Sequence, residues 1–219
     1  MIKRTGFVLM TMVGVALSMS QTAAAAEVSR FTFSGAQVSL QFWASASLVC
    51  DDGSGGFAFV FGGLQGAEQV SKSSDSSYES NGGVVYVDGY YNSCTGVNIS
   101  GASGSIANGF SVADKKLTSA SMVGSGTVQE FVYGTTLPVS IDVQFDGVGP
   151  TNVTKSNSHA RVIGSKGGPL SINNSHGANS NRLADAYGAI TVGGVAFPAF
   201  QTVYATIYAN SSSNTTVSK

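Results

Sequence analysis

Apolar and polar residues alternate along much of this chain with a period of two. In Val139-Ser140-Ile141-Asp142-Val143-Gln144-Phe145, the Val, Ile and Phe side chains share one face and Ser, Asp and Gln share the other. That is the pattern of a strand with one side buried. Val38-Ser39-Leu40-Gln41-Phe42 alternates in the same way, as does Val203–Tyr208, which sets its tyrosines on the second face. Phe57–Phe61 and Val84–Val87 are denser in apolar residues and suit strands buried more fully. Weaker strand patterns occur at 31–33, 117–123, 127–133, 160–163 and 186–192.

Turn signals separate these runs: Asp51-Asp52-Gly53, Asn81-Gly82-Gly83, Asp88-Gly89, Asp146-Gly147 and Gly193-Gly194. Gly, Asn and Asp accept the positive φ values of tight hairpins. Helical periodicity is confined to the N-terminal segment, apart from one turn's worth at 112–117. Short strands with repeated glycine turns predict an all-β fold. The expected form is a single antiparallel β-sandwich of jelly-roll or Ig-like kind over residues 27–209, with a barrel as the other way of closing the sheet.

Three polar stretches carry no core pattern. Ser71–Asn81 reads as a loop, Thr151–Arg182 as a longer one rich in Asn, Ser and Gly, and 210–219 as a frayed tail. The 151–182 stretch becomes a long hairpin if 160–163 pairs with 183–189.

Residues 1–26 have the layout of a cleaved secretory signal peptide. Lys3 and Arg4 precede an uncharged apolar run from Gly6 to Met19, and Ala23–Ala26 ends in small residues before Glu27. The apolar run is shorter than the ~18–20 residues that span a bilayer. The basic pair, short core and Ala box have a bacterial look. The expected location is secreted, periplasmic or at the cell surface, with no transmembrane helix in the mature chain.

Charged residues make up only 11% of the chain, against about 25% in ordinary soluble domains. The surface is therefore polar through hydroxyls and amides. With 11 basic and 12 acidic residues scattered along the sequence, no nucleic-acid partner is expected. In an oxidising compartment Cys50 and Cys94 read as one disulfide. It would close a loop of about 45 residues, worth roughly 4 kcal/mol in the chain-entropy description.

The candidate chemistry lies in the long polar stretch, which holds both histidines. They occur in a repeated word, Asn157-Ser158-His159 and Asn174-Ser175-His176, with Arg161, Arg182 and Asp185 nearby. Two imidazoles and a carboxylate suit zinc or copper. A His with an Arg suits a phosphate, sulfate or carboxylate, and a Ser–His–Asp set suits acyl transfer. The competing reading is a loop that repeats Asn-Ser by composition, its histidines bonded to neighbours. No G-x-S-x-G elbow, H-E-x-x-H or P-loop word occurs, and no cofactor is expected.

Two further surfaces bear on function. Asp142 and Glu130 would need to share a sheet face to act as a glycosidase pair, with Asp88 or Asp146 as substitutes. Trp43, the only tryptophan, stands on the face opposite Val38, Leu40 and Phe42. Large aromatics are ordinarily mostly buried, so Trp43 is expected in a core covered on both sides. Otherwise it joins Tyr86, Tyr90, Tyr91, Tyr204 and Tyr208 in a surface row suited to sugars or a protein partner.

Together these features lead to an exported, non-enzymatic β-sandwich with a binding or structural role towards an unknown extracellular ligand or protein. A small outer-membrane β-barrel, and a secreted hydrolase or metal-binding protein using His159 and His176, are the alternatives.

Overall fold

The computed structural model describes residues 26–107, 109–112, 116–163 and 170–218. The apolar run read as a signal peptide lies outside the described residues, as do 113–115 of the one-turn helix expected at 112–117, whose Val112 belongs to a strand. Among the described residues all regular structure is β: β1 (Glu27–Val49), β2 (Gly55–Lys72), β3 (Ser77–Asn92), β4 (Asn98–Ile99), β5 (Ala102–Ala107), β6 (Phe110–Val112), β7 (Ser119–Glu130), β8 (Thr136–Ile163), β9 (Leu170–Val192), β10 (Val195–Phe197) and β11 (Gln201–Ser218). Every pairing is antiparallel. The all-β antiparallel class expected from the alternation is thus what the chain adopts.

The pairings run in a circuit of eight strands, β1-β2-β3-β5-β7-β8-β9-β11 and back to β1. Around the core the sheet therefore closes on itself, which removes the unpaired edges that an open sheet must protect there. Opposing walls face each other across one core, built from the inward-facing residues of alternate positions. Val38, Leu40 and Phe42 meet Val60, Leu64, Val85, Val87, Val143, Phe145, Ile190 and Ile207 there, all essentially free of solvent contact. One end is covered by β10 and the following residues, where Phe200 packs its ring on Phe42 with centroids 5.8 Å apart.

Two glycine sites explain local turns and contacts. Gly193 and Gly194 both have positive φ (60° and 83°) and form the two-residue turn that pairs Val192 with Val195. Gly56 lies under the Cys50–Cys94 disulfide, where a Cβ would meet the two sulfurs at 2.8 and 2.5 Å. The disulfide itself forms as the sequence suggested and ties the β1–β2 turn to the end of β3. Asn92 supports that corner: its carboxamide oxygen accepts from the backbone N–H groups of Cys94 (2.9 Å) and Thr95 (3.3 Å).

Several expected turns are instead mid-strand. Asn81-Gly82-Gly83 and Asp88-Gly89 lie within β3, and Asp146-Gly147 within β8. Gly82, Gly83 and Gly147 serve close approach rather than reversal, whereas the space beside Gly89 is open. Gly83, with Gly66 of β2, leaves room for Phe110 and Met122, and Gly147 makes room for Arg182.

The polar stretches also differ from expectation. Residues 71–81 are mostly strand, broken only by the turn at 73–76. The described parts of 151–182 are antiparallel paired strands, in which Ala160 pairs with Asn173 rather than with 183–189. Residues 210–218, read as a frayed tail, complete β11 between β1 and β9. Asn, Ser and Thr are held in these strands by backbone pairing, on both sides for 210–218 and on one side for 152–163, which leaves no apolar signature in the sequence. The result is a collar beyond the core, formed by 27–37, 67–72, 149–163, 170–182 and 209–218. It is polar and partly open on both faces.

Candidate functional site

The two Asn-Ser-His words are cross-strand partners. Asn157 lies opposite His176, Ser158 opposite Ser175, and His159 opposite Asn174. Antiparallel pairing thus lays the word against its own copy. His176 Nδ1 lies 3.0 Å from the Asn157 carboxamide oxygen, and His159 Nδ1 is bonded to that of Asn174. The Ser158 and Ser175 hydroxyls are 2.6 Å apart on the opposite face. Both histidines share the inward face of the collar and occupy diagonal positions, about 7–8 Å apart between backbones by sheet geometry.

A carboxamide oxygen can only accept, so the imidazole Nδ1 is the donor in each contact. Around His176 a recess of about 400 Å³ is lined by Thr32, Lys155, Asn157, Ser211 and Ser213, among others. Lys155, Asn157, His159 and Arg161 follow one another at every second position of β8, on one face. This surface offers a cation, imidazoles and hydroxyls.

The structure does not bring the whole expected constellation together. Arg182 is six residues from His176 along β9, about 20 Å at strand rise. Its guanidinium donates to the Lys116 carbonyl at 3.5 Å. Asp185 is nine residues away and on the outer face, opposite Asp146 of β8. An odd separation on a strand reverses the face, so Asp185 and His176 cannot share a ligand. Among the described residues, no group of three or more His, Cys, Asp or Glu side chains converges to hold a metal ion.

The glycosidase pair also fails to assemble. Glu130 is buried, with 4% of its surface exposed, whereas Asp142 points outwards from β8. Asp52 is occupied in its own turn: it accepts from the Ser54 N–H (2.9 Å) and hydroxyl (2.6 Å), which hold its carboxyl below the ordinary range.

Trp43 lies outside the core, contrary to expectation. It is 40% exposed on the outer wall, directly opposite Phe61 and Gln201, and its indole N–H donates to Gln201 Oε1 at 2.8 Å. Phe57 and Phe59 continue this outer face, each with its ring against Tyr91 (5.7 and 5.8 Å). The strand is covered on one side only, so the alternation that buries Phe42 necessarily exposes Trp43. Tyr204 and Tyr208 lie on the outer face of β11, and hydrogen bonding to Tyr208 pushes the Tyr204 phenol up.

Comparison of the chain with protein-family models, curated proteins and solved structures finds no match. No helix of the described residues is long and apolar enough to cross a membrane.

Proposed function

We propose that this chain is an exported, non-enzymatic protein that serves a binding or structural role outside the cytosol through its collar. The observation that carries this reading is the collar itself. Its strands are ordered well beyond the last core layer yet bury little apolar surface. Fixing backbone costs about 1–2 kcal/mol per residue, and the apolar core does not repay that cost there. A hydrogen-bonded wall displaying Asn, Ser, Thr, His and Tyr is suited to recognition rather than to stability.

The disulfide favours an oxidising compartment, in keeping with a cleaved leader. The outer-membrane reading finds less support, because a lipid-embedded barrel is apolar outside and polar within. Here the core is apolar and the outer wall of β8 and β9 carries Asp142, Asp146 and Asp185. Cell fractionation with mass spectrometry tests the proposal. The expected product begins at Glu27, lies outside the cytosol and has Cys50 bonded to Cys94. A reduced, full-length cytosolic product contradicts it.

A second reading, metal binding by His159 and His176, is favoured by their Nδ1 bonds to Asn174 and Asn157. Metal-ligating imidazoles are ordinarily oriented by such a bond. Zinc titration of the purified protein checks this: heat lost in both His159→Ala and His176→Ala supports it, and unchanged heat removes it.

A further inference from the structure

The outer wall of the collar holds a groove of about 480 Å³, distinct from the inward-facing histidine surface. Two cross-strand rows build it. Asn181 pairs with Tyr208, and Tyr208 with Gln37; one row further, Asn179 pairs with Asn210, Asn210 with Gly35, and Gly35 with Gln69. Gly35 keeps the floor open, since a Cβ there would meet the Asn210 side-chain oxygen at 2.7 Å. The volume falls within the roughly 300–1,000 Å³ of small-ligand sites.

The lining is nearly free of charge. Its single carboxylic acid, Glu68, follows the inward register of Leu64 and Gly66, and burial pushes its carboxyl above the ordinary range. An anionic ligand would find no cation among these lining residues. Each carboxamide offers two N–H donors and an acceptor oxygen, which match hydroxyls that both give and take hydrogen bonds. Asn181 already accepts from Asn152 Nδ2 at 3.2 Å, which fixes its amide with N–H groups left to donate. Higher on the same wall, the carboxamide oxygens of Asn173 and Asn214 are buried without a partner. Tyr208, with Tyr204 beside it, supplies an aromatic face for the C–H surface of a sugar ring.

We propose that this groove binds a neutral oligosaccharide lying along β11, with the Tyr208 ring beneath one sugar and the Asn179, Asn181, Gln37 and Gln69 carboxamides on its hydroxyls. The inference rests on the reading of the chain as an exported binding protein and names the ligand class.

Calorimetry on the purified, disulfide-bonded protein tests it, using soluble gluco-, manno- and malto-oligosaccharides beside an anionic oligogalacturonate. At least one neutral oligosaccharide is expected to bind, with an affinity unchanged by ~0.5 M salt because no charge is involved. Tyr208→Ala and Asn181→Ala are each expected to weaken it about tenfold. Gly35→Val fills the floor and is expected to abolish binding. Thermal melts of each variant separate loss of binding from loss of fold. Absence of binding by every neutral oligosaccharide at millimolar concentration overturns the proposal. So does a salt-sensitive preference for the anionic one, or indifference to all three groove variants. A protein that binds sugar but stays in the cytosol would contradict export alone; an exported protein indifferent to sugar would contradict only the ligand class.

Discussion

Trp43 and Phe42 are adjacent in sequence and lie on opposite faces of the sheet: Phe42 is sealed in the core while Trp43 faces solvent. Fluorescence makes this directly measurable, because Trp43 is the only tryptophan. Its emission is expected to be red-shifted and quenched readily by iodide in the folded state. Phe42→Ala is expected to cost about 3–5 kcal/mol in denaturant unfolding, as for other buried phenylalanines. Trp43→Ala should cost about 1 kcal/mol or less. A blue-shifted, protected indole contradicts the outward placement.

The disulfide corner gives a second test. Cys50→Ser with Cys94→Ser is expected to lower stability by about 2–4 kcal/mol. Gly56→Ala is expected to destabilise the oxidised protein, since its methyl would meet both sulfurs, and to cost less in the reduced one. Equal costs in both redox states would show that Gly56 serves something other than the disulfide.

What the sequence made legible follows from where apolar side chains carry the signal. Val139–Phe145 and Val38–Phe42 announce their strands because each buries every second residue. Cys50 and Cys94 announce their bond because they are the only pair. The strands at 152–163 and 210–218 were hidden because backbone pairing, not burial, orders them. Gly83 and Gly147 looked like turn residues, but the neighbours that need their missing side chains, Met122 and Arg182, are distant in sequence. The histidine words were found by their repetition, whereas the groove around Tyr208 was not. Its residues come from four strands and share no local motif.

Asp146 and Asp185 are direct cross-strand partners on the outer wall. Like charges so placed are destabilising, so Asp185→Asn is expected to stabilise by a few tenths of a kcal/mol, less in high salt. Asp146 also raises the Tyr187 phenol, through its charge and a hydrogen bond. A phenol raised in the fold contributes stability below its ordinary range near 10, and that contribution is lost as pH rises through the raised value. Ultraviolet titration should show Tyr187 ionising late, as well as Tyr204. Asp146→Asn should bring Tyr187 back and leave Tyr204 raised; an unchanged titration contradicts the contact.

Glu68 behaves in the opposite sense to a salt-bridged carboxylate. Burial raises its pKa above the ordinary 4.5, so the folded state holds the proton more tightly than the unfolded chain. Its contribution is most favourable below 4.5 and is lost as pH rises through the raised value. Glu68→Gln is therefore expected to stabilise the protein at neutral pH and to flatten stability across that acidic window. A variant less stable than the parent at neutral pH would show that the carboxylate has a partner.

The proposed function depends most on the polar collar being ordered, and hydrogen–deuterium exchange of the free protein measures this directly. Amides of 171–182 and 210–217, and the alternate amides of 152–162 that face β9, are expected to be protected, more weakly than the core strands but far above unstructured chain. Exchange at the rate of an unfolded peptide across these segments would mean that they are loop and tail after all, and would remove the surface on which the proposed function rests.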